Sequence, residues 1–162
     1  MKKARVISAF PACGKTYLFN SRKDLDILDS DSSKFSWINK DGKKIRNPAF
    51  PNNYIKHIKE NIGKVDFIFV SSHKDVRKAL DDAGVEFYVV YPEDFCRAAW
   101  IGRCFLRGSG ADFCQMLADN WNDWISEMQE CALTHKHYVL GSYEYLSNAI
   151  DSFLRLEYNE II

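Results

Sequence analysis

Residues 9–16 read Ala9-Phe10-Pro11-Ala12-Cys13-Gly14-Lys15-Thr16, which fits G-x-x-x-x-G-K-[ST] with Ala9 in place of the first glycine. The chemistry that spacing suits is a grip on polyphosphate. A tight turn points backbone N–H groups inward, an ammonium reaches the outer phosphates, and a hydroxyl can hold a magnesium ion. Pro11, Ala12 and Cys13 would form the turn, Gly14, Lys15 and Thr16 supply the functional groups in order, and Tyr17 follows directly.

Three further clusters have reactive composition. Asp29-Ser30-Asp31 places two carboxylates around a hydroxyl, able to orient a metal through water or to take a proton from a hydroxyl acceptor, or else to cap the next turn. Arg103 and Arg107, at i and i+4, would share one helical face, where two guanidinium groups repel unless an anion lies between them. Ser71-Ser72-His73 closes an apolar run and so delivers polar groups to a strand end. Between these lie Trp37 and Phe50, able to stack on a base or to pack in a core, Arg46, able to neutralise a phosphate, and the Asn52-Asn53 amides. Lys43 and Lys44 beside Asp41-Gly42 read as a solvated turn.

The elements that must position these groups follow from periodicity. Arg5 to Ala9 reads as a buried strand, and Lys15 to Phe19 can open a helix. Asp24 to Leu28 alternates as a short strand. From Lys34 to Phe50 the periodicity lapses into an insert, partly a hairpin; Tyr54, Ile55, Ile58 and Ile62 then recur at helical spacing from Pro51 to Gly63. Val65 to Val70 is a central strand, Asp75 to Ala83 a helix, and Val85 to Tyr91 a strand closed by Pro92. Residues 93–107 look helical, and Gly108-Ser109-Gly110 makes a joint. A long helix from about Ala111 to Cys131 carries Phe113, Met116, Leu117, Trp121, Trp124 and Met128 as a core stripe. His137 to Leu140 is a last strand, and Tyr145, Leu146, Ile150, Phe153 and Leu154 mark a last helix. This alternation predicts an α/β three-layer sandwich around a central parallel sheet of about five strands, in one domain spanning 1–162.

Composition narrows the classes. Lys+Arg and Asp+Glu are both 22, so no overall field favours stable binding to nucleic acid or a membrane surface, although local basic clusters can still exist. The apolar stretch after the basic Met1-Lys2-Lys3 is too short for a signal peptide, and no run reaches the length of a membrane span. Five cysteines without a C-x-x-C pair fit reduced thiols in a cytoplasmic protein. Cys13, inside the turn, is either a small filler or a thiol activated by the helix start.

The order and spacing resemble P-loop kinases of the nucleoside and nucleotide kinase type, including small bacteriophage-encoded members, which would place the protein in a host cytoplasm. The resemblance spans nearly the whole chain and is specific at Gly14-Lys15-Thr16. It implies a P-loop NTPase fold with ATP and Mg²⁺, an acceptor-binding insert at about residues 32–63 and an arginine-bearing lid at about 92–110. Pro11 to Tyr17 with Arg103 and Ser142 would then hold ATP, with Ser142 near the adenine. Thr16 and Asp29 would hold the metal, and Lys15, Asp29, Asp31, Arg103 and Arg107 would serve catalysis. Asp31, Trp37, Arg46, Asn53, Ser72 and His73 would meet the acceptor. Adenylate-type members carry an acidic D-G-x-P-R-like sequence where this chain has Ser71-Ser72-His73, so an adenylate kinase proper is not expected. The activity expected is transfer of the γ-phosphoryl group of ATP to a nucleotide or nucleoside-like small molecule. A small hydroxylated metabolite as acceptor, suggested by Asp29-Ser30-Asp31, and a nucleotide-binding module without turnover are the alternatives. Oligomeric state stays open.

Overall fold

The structure is a computed structural model in which residues 4–160 are described. Met1 to Lys3, which bear on the signal-peptide expectation, lie outside the described residues. In chain order the elements are β1 (Arg5–Ala9), α1 (Lys15–Ser21), β2 (Ile27–Asp29), α2 (Ser33–Ser36), β3 (Trp37–Lys40), β4 (Lys43–Arg46), α3 (Asn52–Asn61), β5 (Phe67–Ser71), α4 (Lys74–Asp82), β6 (Phe87–Pro92), a 3-10 turn (Asp94–Cys96), α5 (Arg97–Leu106), α6 (Ala111–Ala132), β7 (His137–Leu140) and α7 (Leu146–Glu160).

Five strands form a parallel sheet in the order β2-β5-β1-β6-β7, flanked by helices. Near-continuous apolar strands demand this, because a parallel sheet is covered on both faces. Phe67 to Val70 in β5 and all six residues of β6 are buried. Register sets Ala9 beside Ser71 and Asp29 beside Phe69 in the parallel ladders. β2 begins and ends later than the alternation of Asp24 to Leu28 suggests. The Asp26 carbonyl is taken by the Asp66 and Phe67 amides, so pairing starts at Ile27 and brings Asp29 into the strand itself.

Two compact units divide the described chain, one made of residues 4–9 and 19–88, the other of 10–18 and 89–160. In the first, α3 buries Tyr54, Ile55 and Ile58, whereas Ile62 lies at its C-terminal end and is exposed. The expected insert is α2 followed by an antiparallel hairpin, β3 with β4. Asp41 (φ 51°) and Gly42 (φ 74°) close it, the two left-handed residues of a type I′ turn whose twist matches that of the strands.

In the second unit, α6 runs 22 residues, roughly 33 Å at the helical rise. Its buried stripe is Cys114, Leu117, Trp121, Ile125, Met128 and Ala132. Of the stripe expected from sequence, Leu117, Trp121 and Met128 are buried, whereas Met116 is exposed and Phe113 and Trp124 are half-buried. The line of side chains three and four apart follows 114, 117, 121, 125 and 128, so large aromatics one position off it reach the flank instead. Trp121 packs edge-on to Phe10 at 5.5 Å and donates its indole N–H to the Asp94 carbonyl at 2.8 Å. No described helix is long and apolar enough to cross a membrane.

Candidate active site

The turn after β1 is fixed by its own backbone and by groups packed outside it. Phe10 N–H donates to the Val90 carbonyl at 2.9 Å. Ala12 (φ 59°) and Gly14 (φ 98°) both adopt left-handed backbone, and α1 begins at once with Leu18 N–H donating to the Gly14 carbonyl at 3.0 Å. A left-handed alanine costs on the order of 1–2 kcal/mol and persists only where its surroundings hold it. Here the indole N–H of Trp100 donates to the Pro11 carbonyl at 3.0 Å, and Leu146 N–H donates to the Cys13 carbonyl at 2.8 Å. A Cβ on Gly14 would lie 3.4 Å from Cδ1 of Tyr145, ordinary contact made on strained backbone, so glycine is required here by φ rather than by space. Ala12 and Cys13 are buried, Lys15 is half-buried, and Thr16 and Tyr17 are exposed.

Burial pushes the Cys13 thiol up, against the opposing pull of Lys15 and Arg107. Of the two sequence readings of Cys13, this favours the small buried filler.

The Arg103 guanidinium carbon lies over two rings, 3.8 Å from the centroid of Trp100 and 3.9 Å from that of Tyr145. Its Nη2 donates to the carbonyls of Ser142 (2.8 Å) and Glu144 (2.7 Å). Its Nη1 is buried without a hydrogen-bond partner. Desolvation lowers its pKa. Arg107 caps the C-terminal end of α5, donates from Nε to the Ser109 hydroxyl, lies 5.5 Å over the Phe113 ring and is solvent-exposed. Helical spacing sets the two arginines on one flank, but Arg103 grips the segment after β7 whereas Arg107 stays at the surface.

That segment has its own brace. Glu144 accepts hydrogen bonds from the Tyr138 phenol (2.6 Å) and from Gly141 N–H (2.9 Å), which together hold its carboxyl below the usual range. The Ser142 hydroxyl lies 3.3 Å from the Cys96 sulfur.

The acceptor candidates belong to the first unit. Asp29 ends β2, and Ser30 N–H continues the ladder to the Phe69 carbonyl at 2.9 Å. The Ser30 hydroxyl is buried with no partner, and its carbonyl accepts the Tyr54 phenol at 2.5 Å. Burial first, then the carboxylates of Asp31 and Asp29, push Tyr54 up to about 12. Asp31 accepts from the Ser33 amide (2.9 Å) and the Ser33 hydroxyl (2.8 Å), which is turn-capping geometry. Ser71 accepts from His73 N–H at 3.2 Å through its hydroxyl, and its carbonyl accepts from the Ser8 hydroxyl, also at 3.2 Å. The Ser72 carbonyl is held by Nε of the buried Arg77 at 3.0 Å. Asn53 donates to the Phe35 carbonyl at 3.0 Å. Trp37 pairs across the hairpin with Arg46, whose guanidinium lies 5.2 Å from the ring centroids of both Trp37 and Phe50.

Among the described residues no group of three or more His, Cys, Asp or Glu could hold a metal ion. Mg²⁺ shared with phosphate needs only one or two protein oxygens, because it keeps several waters.

Sequence reasoning missed Trp100, which braces the turn, Tyr145 and Glu144, which brace the segment after β7, and Tyr54 and Arg77, which brace the strand ends. Trp100 sits three residues before Arg103, and Tyr145 three after Ser142, so their neighbourhood was visible. The bonds from Trp100 to the Pro11 carbonyl and from Tyr54 to the Ser30 carbonyl span long stretches of chain and leave no local pattern.

No family model matches the chain, and no curated protein is significantly similar to it. The architecture, a parallel α/β sheet whose first strand runs into a Gly-Lys-Thr turn, is compatible with a P-loop-like fold.

Proposed function

We propose that the protein is an ATP-dependent phosphotransferase of the P-loop kinase class, acting on a nucleotide or nucleoside-like acceptor. The observation that carries this reading is the turn at 10–16. Left-handed backbone at Ala12 and Gly14 is braced from outside by Trp100, Leu146 and Tyr145 and is followed at once by Lys15 and Thr16. Strain retained in a braced loop with that composition is what a phosphate cradle requires.

The residues fit ATP with Mg²⁺ on a second ground. Arg103 keeps a buried Nη1 donor unpaired, and an unpaired charged donor is costly unless an anion completes it. Lys15 would neutralise the outer phosphates, and Thr16 would offer its hydroxyl to the metal. Bound Mg²⁺ would supply charge neutralisation at the phosphate oxygens. Arg107, exposed at the end of α5, would be the second cation at the transferring group. Asp29 and Asp31, within electrostatic reach of Tyr54 at the end of β2, would orient the metal or accept a proton from the acceptor.

A hydroxylated metabolite as acceptor is favoured by the two carboxylates flanking the unpartnered Ser30 hydroxyl. Purified protein with ATP, Mg²⁺ and a panel of nucleosides, nucleoside monophosphates and polyols should release ADP only with its acceptor. Lys15→Ala should reduce that release by about 10²-fold or more, the usual cost of losing a charge-stabilising group. No acceptor-dependent ADP from folded protein would overturn phosphoryl transfer. ATP-dependent thermal protection without transfer would instead select a nucleotide-binding module.

A further inference from the structure

The hairpin of β3 and β4 is exposed at every one of its eight residues. It therefore has no core of its own, and a two-stranded ribbon is marginal in water. It is tethered at its base, where Asn47 N–H donates to the Ser36 carbonyl at 2.9 Å and the Asn47 amide to the Phe35 carbonyl at 2.9 Å.

Its charge is not that of the chain. Residues 37–46 hold Lys40, Lys43, Lys44 and Arg46 against Asp41 alone, a local net of three positive charges in a chain whose formal net charge is zero. The rest of the protein is correspondingly acidic, so the field is concentrated on this arm.

The register orders these charges. Trp37 faces Arg46 and Asn39 faces Lys44, so strand alternation puts these four on one face, with Lys40 and Lys43 beside Ile38 and Ile45 on the other. The Lys44 ammonium and the Arg46 guanidinium each lie 5.2 Å from the Trp37 ring centroid, and Trp37 is 40% exposed. An exposed indole set among cations and an amide matches an unpaired base linked to phosphates. Duplex bases are stacked and paired, so they cannot use that indole. One mononucleotide could not engage cations spread over both faces along a strand of about 10 Å.

We infer that the β3–β4 hairpin is a docking arm for single-stranded nucleic acid, with a base on Trp37, phosphates on Lys44 and Arg46 of the same face, and the strand crossing the ribbon to Lys40 and Lys43 beside the turn. This does not depend on phosphoryl transfer. Lysines that look like a solvated turn in the sequence become a track once the register is known.

The test uses the full chain without ATP and a fluorescein-labelled 12-residue oligothymidylate, read by anisotropy. Engagement of three or four phosphates gives a log–log salt slope of about −2 to −3, so affinity should fall roughly 20- to 60-fold between 50 and 200 mM salt. Lys40→Gln/Lys43→Gln/Lys44→Gln should weaken binding at least tenfold and flatten the slope. Trp37→Leu should weaken it by at least fivefold, from the loss of about 1–3 kcal/mol of stacking, with little change in slope. Because all these positions are exposed, circular dichroism should show every variant folded. A 12-base-pair duplex should bind at least tenfold more weakly, and thymidine monophosphate in tenfold excess over the strand's nucleotides should not displace it. No binding at 100 μM protein in 50 mM salt, equal binding of duplex, displacement by the monophosphate, or unchanged affinity in a folded triple variant would each overturn the inference.

Discussion

Replacing Arg103 by methionine separates what this side chain does for the fold from what it would do for a phosphoryl group. Methionine keeps most of the aliphatic stem and removes the guanidinium. Lost with it are two charge-assisted bonds to the carbonyls of Ser142 and Glu144, and the stack between Trp100 and Tyr145. Bonds to a charged group contribute about 1.5–3 kcal/mol each, and a desolvated cation–π contact up to about 2 kcal/mol. The residue is only partly buried, so water recovers much of this, and the variant should be about 2–4 kcal/mol less stable. For a chain of this size that is roughly 5–15 °C in Tm. Arg103→Lys should fare little better, since a compact ammonium lacks the planar guanidinium that meets both the Trp100 and Tyr145 rings. Arg107→Met, altering an exposed side chain, should stay within about 0.5 kcal/mol of the parent while lowering phosphoryl transfer. Urea unfolding followed by circular dichroism measures all three. If Arg103→Met unfolds within about 0.5 kcal/mol of the parent, the sandwich does not brace the segment after β7.

Tyr54→Phe should cost about 1–2 kcal/mol, because it leaves the Ser30 carbonyl without its phenol donor; ultraviolet titration of the parent should show a phenol ionising near 12 that the variant lacks. Since that phenol is raised above its ordinary value of 10.0, its contribution is intact below pH 10 and disappears as pH rises through about 12. Glu144 is shifted the opposite way: its folded carboxyl lies below the ordinary 4.5, so its contribution is present above that value and is lost as pH falls through the depressed one. Glu144→Gln should flatten the acid limb of the stability profile, measured as urea midpoint against pH. Thiol labelling of the native protein should show one fast reaction, abolished by Cys131→Ser, and four slow ones, because Cys13, Cys96, Cys104 and Cys114 are buried. A fast reaction at Cys13 would contradict a thiol raised by burial.

Much of the sheet was legible because parallel strands advertise themselves. Arg5 to Ala9, Val65 to Val70 and His137 to Leu140 are short, mostly apolar runs followed by turn or polar residues, and each is a strand within a residue or two of where the pattern puts it. Boundaries failed where long-range bonds decide them. β2 starts at Ile27 because its partner β5 starts at Phe67, far along the chain, and the bond from Phe67 N–H to the Asp26 carbonyl is the first rung of their ladder. On α6 the helical period carries Leu117, Trp121 and Met128 onto the buried line as expected, joined there by Cys114 and Ile125, while Met116 is exposed and Trp124 half-buried beside it.

The candidate site was legible in its reactive groups and illegible in its supports. Lys15 and Thr16 announce themselves by spacing. What keeps Ala12 and Gly14 in left-handed backbone is an indole 89 residues from Pro11 and an amide at Leu146, and no local periodicity encodes either. Arg103 shows the limit most clearly. Spacing from Arg107 suggests two cations awaiting one anion, yet two carbonyls and two rings already occupy most of one of them. A helical i,i+4 pair specifies a shared flank but not shared work. The division of labour is set by what the rest of the chain folds against each guanidinium. Arg103 is committed to the segment after β7, whereas Arg107, at the end of α5, is the guanidinium the fold leaves at the surface.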